Sequence, residues 1–193
     1  PDGFPAHFVV PEKLTAQLRQ LGLTPADIEF VSFSHMHSDH TGNGNVFAAS
    51  TWIVDADERA AMFGAEARAS AEDFGNYNQL ETSETQLIEG EAEHDVFGDG
   101  SVRIIQTPGH TPGHTVLLVN LPNAGAVLLT GDMWHLAESR ERRLVPSFNV
   151  DRAQTLASMD KVEALARETD ALVIREHVQE DFDALPRFPE ALN

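Results

Sequence analysis

The chain has 193 residues, 41% hydrophobic and 23% charged, the make-up of one ordinary globular domain with a sizeable core. Its 31 acidic against 13 basic residues leave a formal net charge of -18, a surface that repels phosphate backbones and excludes nucleic acid as an expected partner. No stretch approaches the roughly 18 apolar residues of a membrane span, and the absence of cysteine excludes disulfides, thiolate metal sites and cysteine nucleophiles.

Residues 1–10 read as a loop punctuated by Pro and Gly. No signal peptide is visible, and the chain begins at Pro1 rather than Met. This leaves room for a removed leader and leaves the compartment open between cytoplasm and periplasm or export. Residues 11–21 predict a helix with Leu14, Leu18 and Leu21 on one face and Gly22 as its stop. A turn at 24–27 leads into an apolar strand at 28–33, which delivers Ser34-His35-Met36-His37-Ser38-Asp39-His40-Thr41-Gly42. His35 and His37 alternate by two and share one side of an extended segment; after the chain turns, Asp39 and His40 face a second point nearby. Neutral imidazole and carboxylate are the ligands preferred by zinc and similar cations.

A short strand at 51–54 follows, then Asp55 as N-cap with Glu58 at the third helical position, opening a helix to about Phe63. Residues 65–84 show no period and read as a mobile connection, a cover over the site or a plain loop. Short strands are expected at 86–88 and 95–97, and Gly98-Asp99-Gly100 turns the latter into a strand at 102–105. Thr107-Pro108-Gly109-His110-Thr111-Pro112-Gly113-His114 is a second unusual loop. A hairpin of near-continuous apolar strands, 115–119 and 126–129, delivers Thr130-Gly131-Asp132. Asn149 or Asp151 caps a helix to about Thr169 with Leu156, Met159, Val162 and Leu165 on one side. A last strand at 171–174 delivers Arg175-Glu176-His177, and a Pro-broken tail follows.

Four apolar strands thus end in candidate ligands: His35 to His40, His110, Asp132 and His177. His110 is favoured over His114 because it sits in the Pro-Gly turn, whereas His114 begins a strand. His7 and His94 read as plain surface residues. Seven ligands exceed one tetrahedral zinc, so two metals are expected. Such a pair, roughly 3.5–4 Å apart, needs a bridging group, and the two oxygens of Asp132 suit that role.

His35-Met36-His37-Ser38-Asp39-His40, Pro108-Gly109-His110, Gly131-Asp132 and His177, in that order, resemble the metallo-β-lactamase-fold hydrolase superfamily. The resemblance implies an α/β (α+β) fold, an αββα sandwich in a single domain over 1–193, with two Zn²⁺ per chain. His35, His37 and His110 would hold the first ion, Asp39, His40 and His177 the second, with Asp132 between them. Because only 34 residues precede His35, the domain is expected to be trimmed or its first sheet incomplete. The 107–114 loop and the 148–158 stretch look most like N-acyl-homoserine lactonase-like members, which open lactone rings and quench quorum-sensing signals. Those members usually carry Tyr three residues after the bridging Asp; here the position is His135, which can also donate a hydrogen bond.

The function implied is hydrolysis of a small-molecule lactone or other ester, with Asp39, Asp132 and His135 as catalytic residues. Asp132 would shuttle the proton, and Met133, Trp134 and Phe148 read either as the lining of an apolar acyl pocket or as simple core. Alternatives on the same fold are a phosphotriesterase, a β-lactamase or a thioester hydrolase, or a non-catalytic metal-binding domain. A homodimer is left open.

Overall fold

A computed structural model of the chain describes residues 10, 12–90 and 93–193. The expected loop at 1–10, apart from Val10, and His7 lie outside the described residues. Helix α1 (Leu14–Gln20) is shorter than expected and buries none of its residues, so its leucine face is only partly covered.

Strand β1 (Phe30–Val31) pairs in parallel with β2 (Thr51–Asp55), and β2 with β3 (Thr85–Ile88), to form a three-stranded sheet. β2 is the central strand, which is why Trp52-Ile53-Val54 is apolar without alternation: both faces are covered. The one-turn α2 (Ser38–Thr41) follows β1. Asp55 caps α3 (Ala56–Met62) by accepting from Asp57 N and Glu58 N, as the sequence predicts.

The 65–84 segment departs from expectation. It forms α4 (Ala65–Ala69), α5 (Ala71–Phe74) and a 3-10 turn, Asn78–Thr82. Tyr77 and Leu80 are buried against Trp52, Val54 and Met62. Elements of about one turn bury single positions and produce no period to read.

The second sheet runs β4 (His94–Asp95), β5 (Val102–Gln106), β6 (Thr115–Leu121), β7 (Gly125–Leu129), β8 (Leu172–Ile174) in spatial as well as chain order. The turn after β4 is held by the Asp95 carboxylate, which accepts from Gly98 N and Gly100 N. His94, read as a surface residue, is half-buried on β4. β5 and β7 both run antiparallel to β6, and β8 runs parallel to β7. Three strands therefore release their chains at the same edge. Ile53 and Ile88 of one sheet pack with Ile104 of the other.

The outer face of the five-stranded sheet is covered by α7 (Arg152–Thr169), whose Met159, Val162, Leu165 and Ala166 meet Ile105, Val116, Leu118 and Leu128. The layers run helix, sheet, sheet, helix. Met133 and Trp134 belong to this core, both almost fully buried, and so do not line an acyl pocket. Two further helices are α6 (Ala137–Arg142), in a segment for which the sequence offered no reading, and α8 (Gln179–Asp183), in the tail expected to be Pro-broken. No helix among the described residues is long and apolar enough to cross a membrane.

Asp151 is the cap of α7, its carboxylate accepting from Ala153 N and Gln154 N at 2.8 and 2.9 Å. Asp151→Ala is expected to cost about 1 kcal/mol of stability, read as a lower urea midpoint at unchanged slope.

Candidate metal centre

The edge where β1, β5, β7 and β8 end gathers the predicted ligands, each supplied by a different loop. His35 and His37 follow β1, with α2 turning Asp39 and His40 to the other side. The 107–114 loop carries His110 past α7, and its Gly109 adopts φ +130° where a Cβ would lie 2.6 Å from Thr155 Oγ1. Only glycine tolerates both that backbone and that approach. Asp132 follows β7 in a 3-10 turn, and His177 follows β8.

All seven predicted ligands come together, in two groups: His35, His37, His110 and Asp132; and Asp39, His40 and His177. His35 Nε2, His37 Nδ1 and His110 Nε2 form a triangle with sides of 2.9, 3.0 and 3.2 Å. Asp132 divides its carboxylate between the groups. Oδ2 lies 3.2 Å from His110 Nε2 and 3.6 Å from His35 Nε2. Oδ1 lies 2.9 Å from His40 Nε2 and 3.0 Å from His177 Nε2. Asp39 Oδ2 stands 3.7 and 3.6 Å from the same two histidines.

This arrangement fits cations. Tetrahedral zinc with bonds of about 2.0–2.1 Å spaces its nitrogens about 3.3 Å apart, close to the triangle observed. His40 Nε2 and Asp132 Oδ1 are 2.9 Å apart, yet both are buried without a hydrogen-bond partner among the described residues. They aim at a common point rather than at each other. Burial, then neighbouring imidazoles, holds His35 far below the usual histidine range, and burial likewise lowers His37. Neutral rings with a free lone pair are the form that binds metal. Burial pushes the Asp132 carboxyl up, but His110, His135, His177 and His40 around it outweigh that and keep it ionised. His177 is raised by the Asp132 carboxylate that its Nε2 faces at 3.0 Å.

A second layer orients these rings. His110 Nδ1 donates to Asn149 Oδ1 at 3.0 Å, leaving Nε2 to face inward. Ser34 Oγ lies 3.1 Å from both His35 Nδ1 and His40 Nδ1. His114, weighed as the rival to His110, is fully buried and serves differently: its Nε2 accepts from Asp132 N at 3.0 Å, and Nδ1 faces Thr107 O at 3.2 Å. Burial lowers it to about 3, so it stays neutral and can accept. His135 Nε2 lies 3.0 Å from Asp132 Oδ2, and its ring stacks parallel on His177. Phe148 is 63% exposed and packs edge-on against His110 and His135 at the rim.

Sequence reading missed Glu58, read only as a capping residue. It is 2% exposed and bonds to both histidine loops. Its spacing of four from Met62, the other buried residue of α3, was the available signal: a carboxylate on an apolar stripe.

The sequence profile of the metallo-beta-lactamase superfamily matches residues 3–177. The chain is 35% identical to N-acyl homoserine lactonase AttM of Rhizobium radiobacter, over 91% of this chain and 66% of that protein. It is 28% identical to N-acyl homoserine lactonase AiiA of Bacillus thuringiensis subsp. kurstaki, over 93% and 67%. Its structure resembles that of an N-acyl homoserine lactone hydrolase with the product N-hexanoyl-L-homoserine bound at its catalytic metal center, at a TM-score of 0.78 and 27% identity, over 93% of this chain and 68% of that one. The chain spans about two thirds of the length of these relatives. Matched by that profile over most of its length, the chain belongs to the metallo-beta-lactamase superfamily.

Proposed function

We propose that this chain hydrolyses a cyclic ester, an N-acyl-homoserine lactone, at two zinc ions. His35, His37 and His110 would hold the first, Asp39, His40 and His177 the second, and Asp132 would be shared. The observation that carries this reading is the split of one buried carboxylate, with Oδ2 turned to one histidine group and Oδ1 to the other. Cations bound there would lower the pKa of water towards neutrality and polarise an ester carbonyl. The relatives named as lactonases support the lactone as the ester concerned.

Ring opening adds water across the acyl–oxygen bond: hydroxyl to the carbonyl carbon, proton to the departing ring oxygen. Asp132 stands between the two groups and would carry that proton, while the more open Asp39 flanks His40 and His177 in the second group. His135, at the rim beside Asp132, donates to the substrate carbonyl. Phe148 and the exposed Leu136 offer apolar surface for the acyl chain.

The test is metal analysis of pure protein beside a panel of acyl-homoserine lactones, nitrocefin and paraoxon. Lactone turnover by protein holding two metals per chain is the expected result. Bound metal with no turnover of any of the three would replace this reading with a non-catalytic metal-binding one. His135→Phe keeps a ring and removes the donor, so kcat is expected to fall about 10²-fold. His135→Tyr restores a donor and is expected to keep most of the rate. Equal kcat for all three proteins removes His135 from the mechanism.

A further inference from the structure

Glu58 lies on α3, outside both ligand groups, and is almost wholly buried. Its Oε1 accepts from Met36 N at 2.7 Å, and its Oε2 accepts from Gly113 N at 2.8 Å. Met36 is the residue between His35 and His37. Gly113 lies between His110 and His114, the ring that holds the Asp132 amide. One carboxylate therefore joins the two loops that supply the first ligand group, although they stand 75 residues apart in sequence, taking His35 to His110.

The rest of the local structure brings those loops to Glu58. Asp55, the cap of the same helix, accepts from Gln106 Nε2 at the end of β5. Gly113 approaches so closely that a Cβ there would lie 2.5 Å from Glu58 N. Burial raises the Glu58 carboxyl, a cost the two backbone hydrogen bonds partly offset. A carboxylate is the side chain that suits two converging amides. Each oxygen accepts, whereas the amide of glutamine would present a donor to one of the two N–H groups.

We propose that Glu58 is a positioning residue of the metal centre, holding the two histidine loops at ligand spacing and so setting metal affinity without touching metal. This rests on the metal-centre reading above but not on the identity of the ester. The experiment compares wild type with Glu58→Gln and with Met62→Ala, which weakens the same helix through its core residue. Metal-free proteins are titrated with Zn²⁺ against a chromophoric chelator, and the visible spectrum of each Co²⁺-substituted protein is recorded. Glu58→Gln is expected to lose about 10- to 100-fold in affinity for the first ion and to shift the Co²⁺ bands. Met62→Ala is expected to keep both. Wild-type affinity and spectrum in Glu58→Gln overturn the proposal, as does an equal loss in Met62→Ala. If Glu58→Gln does not fold, Glu58→Asp replaces it under the same two outcomes, since it keeps the charge but draws the carboxylate back by one methylene. A wild-type protein that binds zinc but hydrolyses no lactone refutes the proposed reaction and leaves the role of Glu58 standing.

Discussion

Asparagine in place of Asp132 is expected to lower lactone hydrolysis at least about 10³-fold and to reduce bound zinc from two ions per chain to one. The substitution changes almost no volume, so the effect isolates charge and acceptor number. Aspartate offers an oxygen to each histidine group, at 3.2 Å from His110 on one side and 2.9 Å from His40 on the other. Asparagine keeps one oxygen and turns an NH₂ donor towards the other group. The amide cannot accept the transferred proton, and its donor faces the place where a cation would bind. His114 holds the backbone of residue 132 through its amide, so the side chain cannot escape by a backbone shift. Turnover and metal content measured on the same preparation check this. An asparagine variant with two ions and wild-type turnover would show that the bridge is not used.

Stripping the metal is the second large effect. Activity is expected to fall to background in a chelator and to return on adding Zn²⁺, and the urea midpoint of the stripped protein should fall with it. Ligand that binds only the folded state stabilises it by about 4 kcal/mol when present at 1,000 times its dissociation constant. The physical source lies in the site. Several imidazole nitrogens stand about 3 Å from one another, and the ligands arrive on the loops after four different strands. A cation held by these side chains would tie the four loops together, and its loss would free all four at once. An undiminished rate in metal-free protein would end the proposed mechanism.

Much of the fold was legible because the signals were local. Asp55 before Glu58 and Asp151 before the Met159–Val162–Leu165 stripe announced α3 and α7. Continuous apolar runs announced the buried strands β2, β6 and β7. The short helices of 65–84, α6 and α8 were not legible, since elements of a turn or so carry no period. Trp134 and Met133 were ambiguous for another reason. Standing next to Asp132 in sequence, they suited pocket wall or core alike, and the turn after β7 sends them under α7 into the core. His114 and Glu58 carried no metal-loop signature of their own beyond residue type and spacing.

By itself, the sequence determined which side chains are available to a metal centre and that they follow apolar strands. That is chemistry written in residue type and short spacing, and it survives without coordinates. Only the tertiary structure decided that Asp132 gives one oxygen to each group, that His114 holds its backbone, and that Glu58 ties the histidine loops together. Those facts are distances between segments far apart in sequence, such as His35 and Asp132. They follow from strand pairing and from the close approach of α3, which no local pattern encodes.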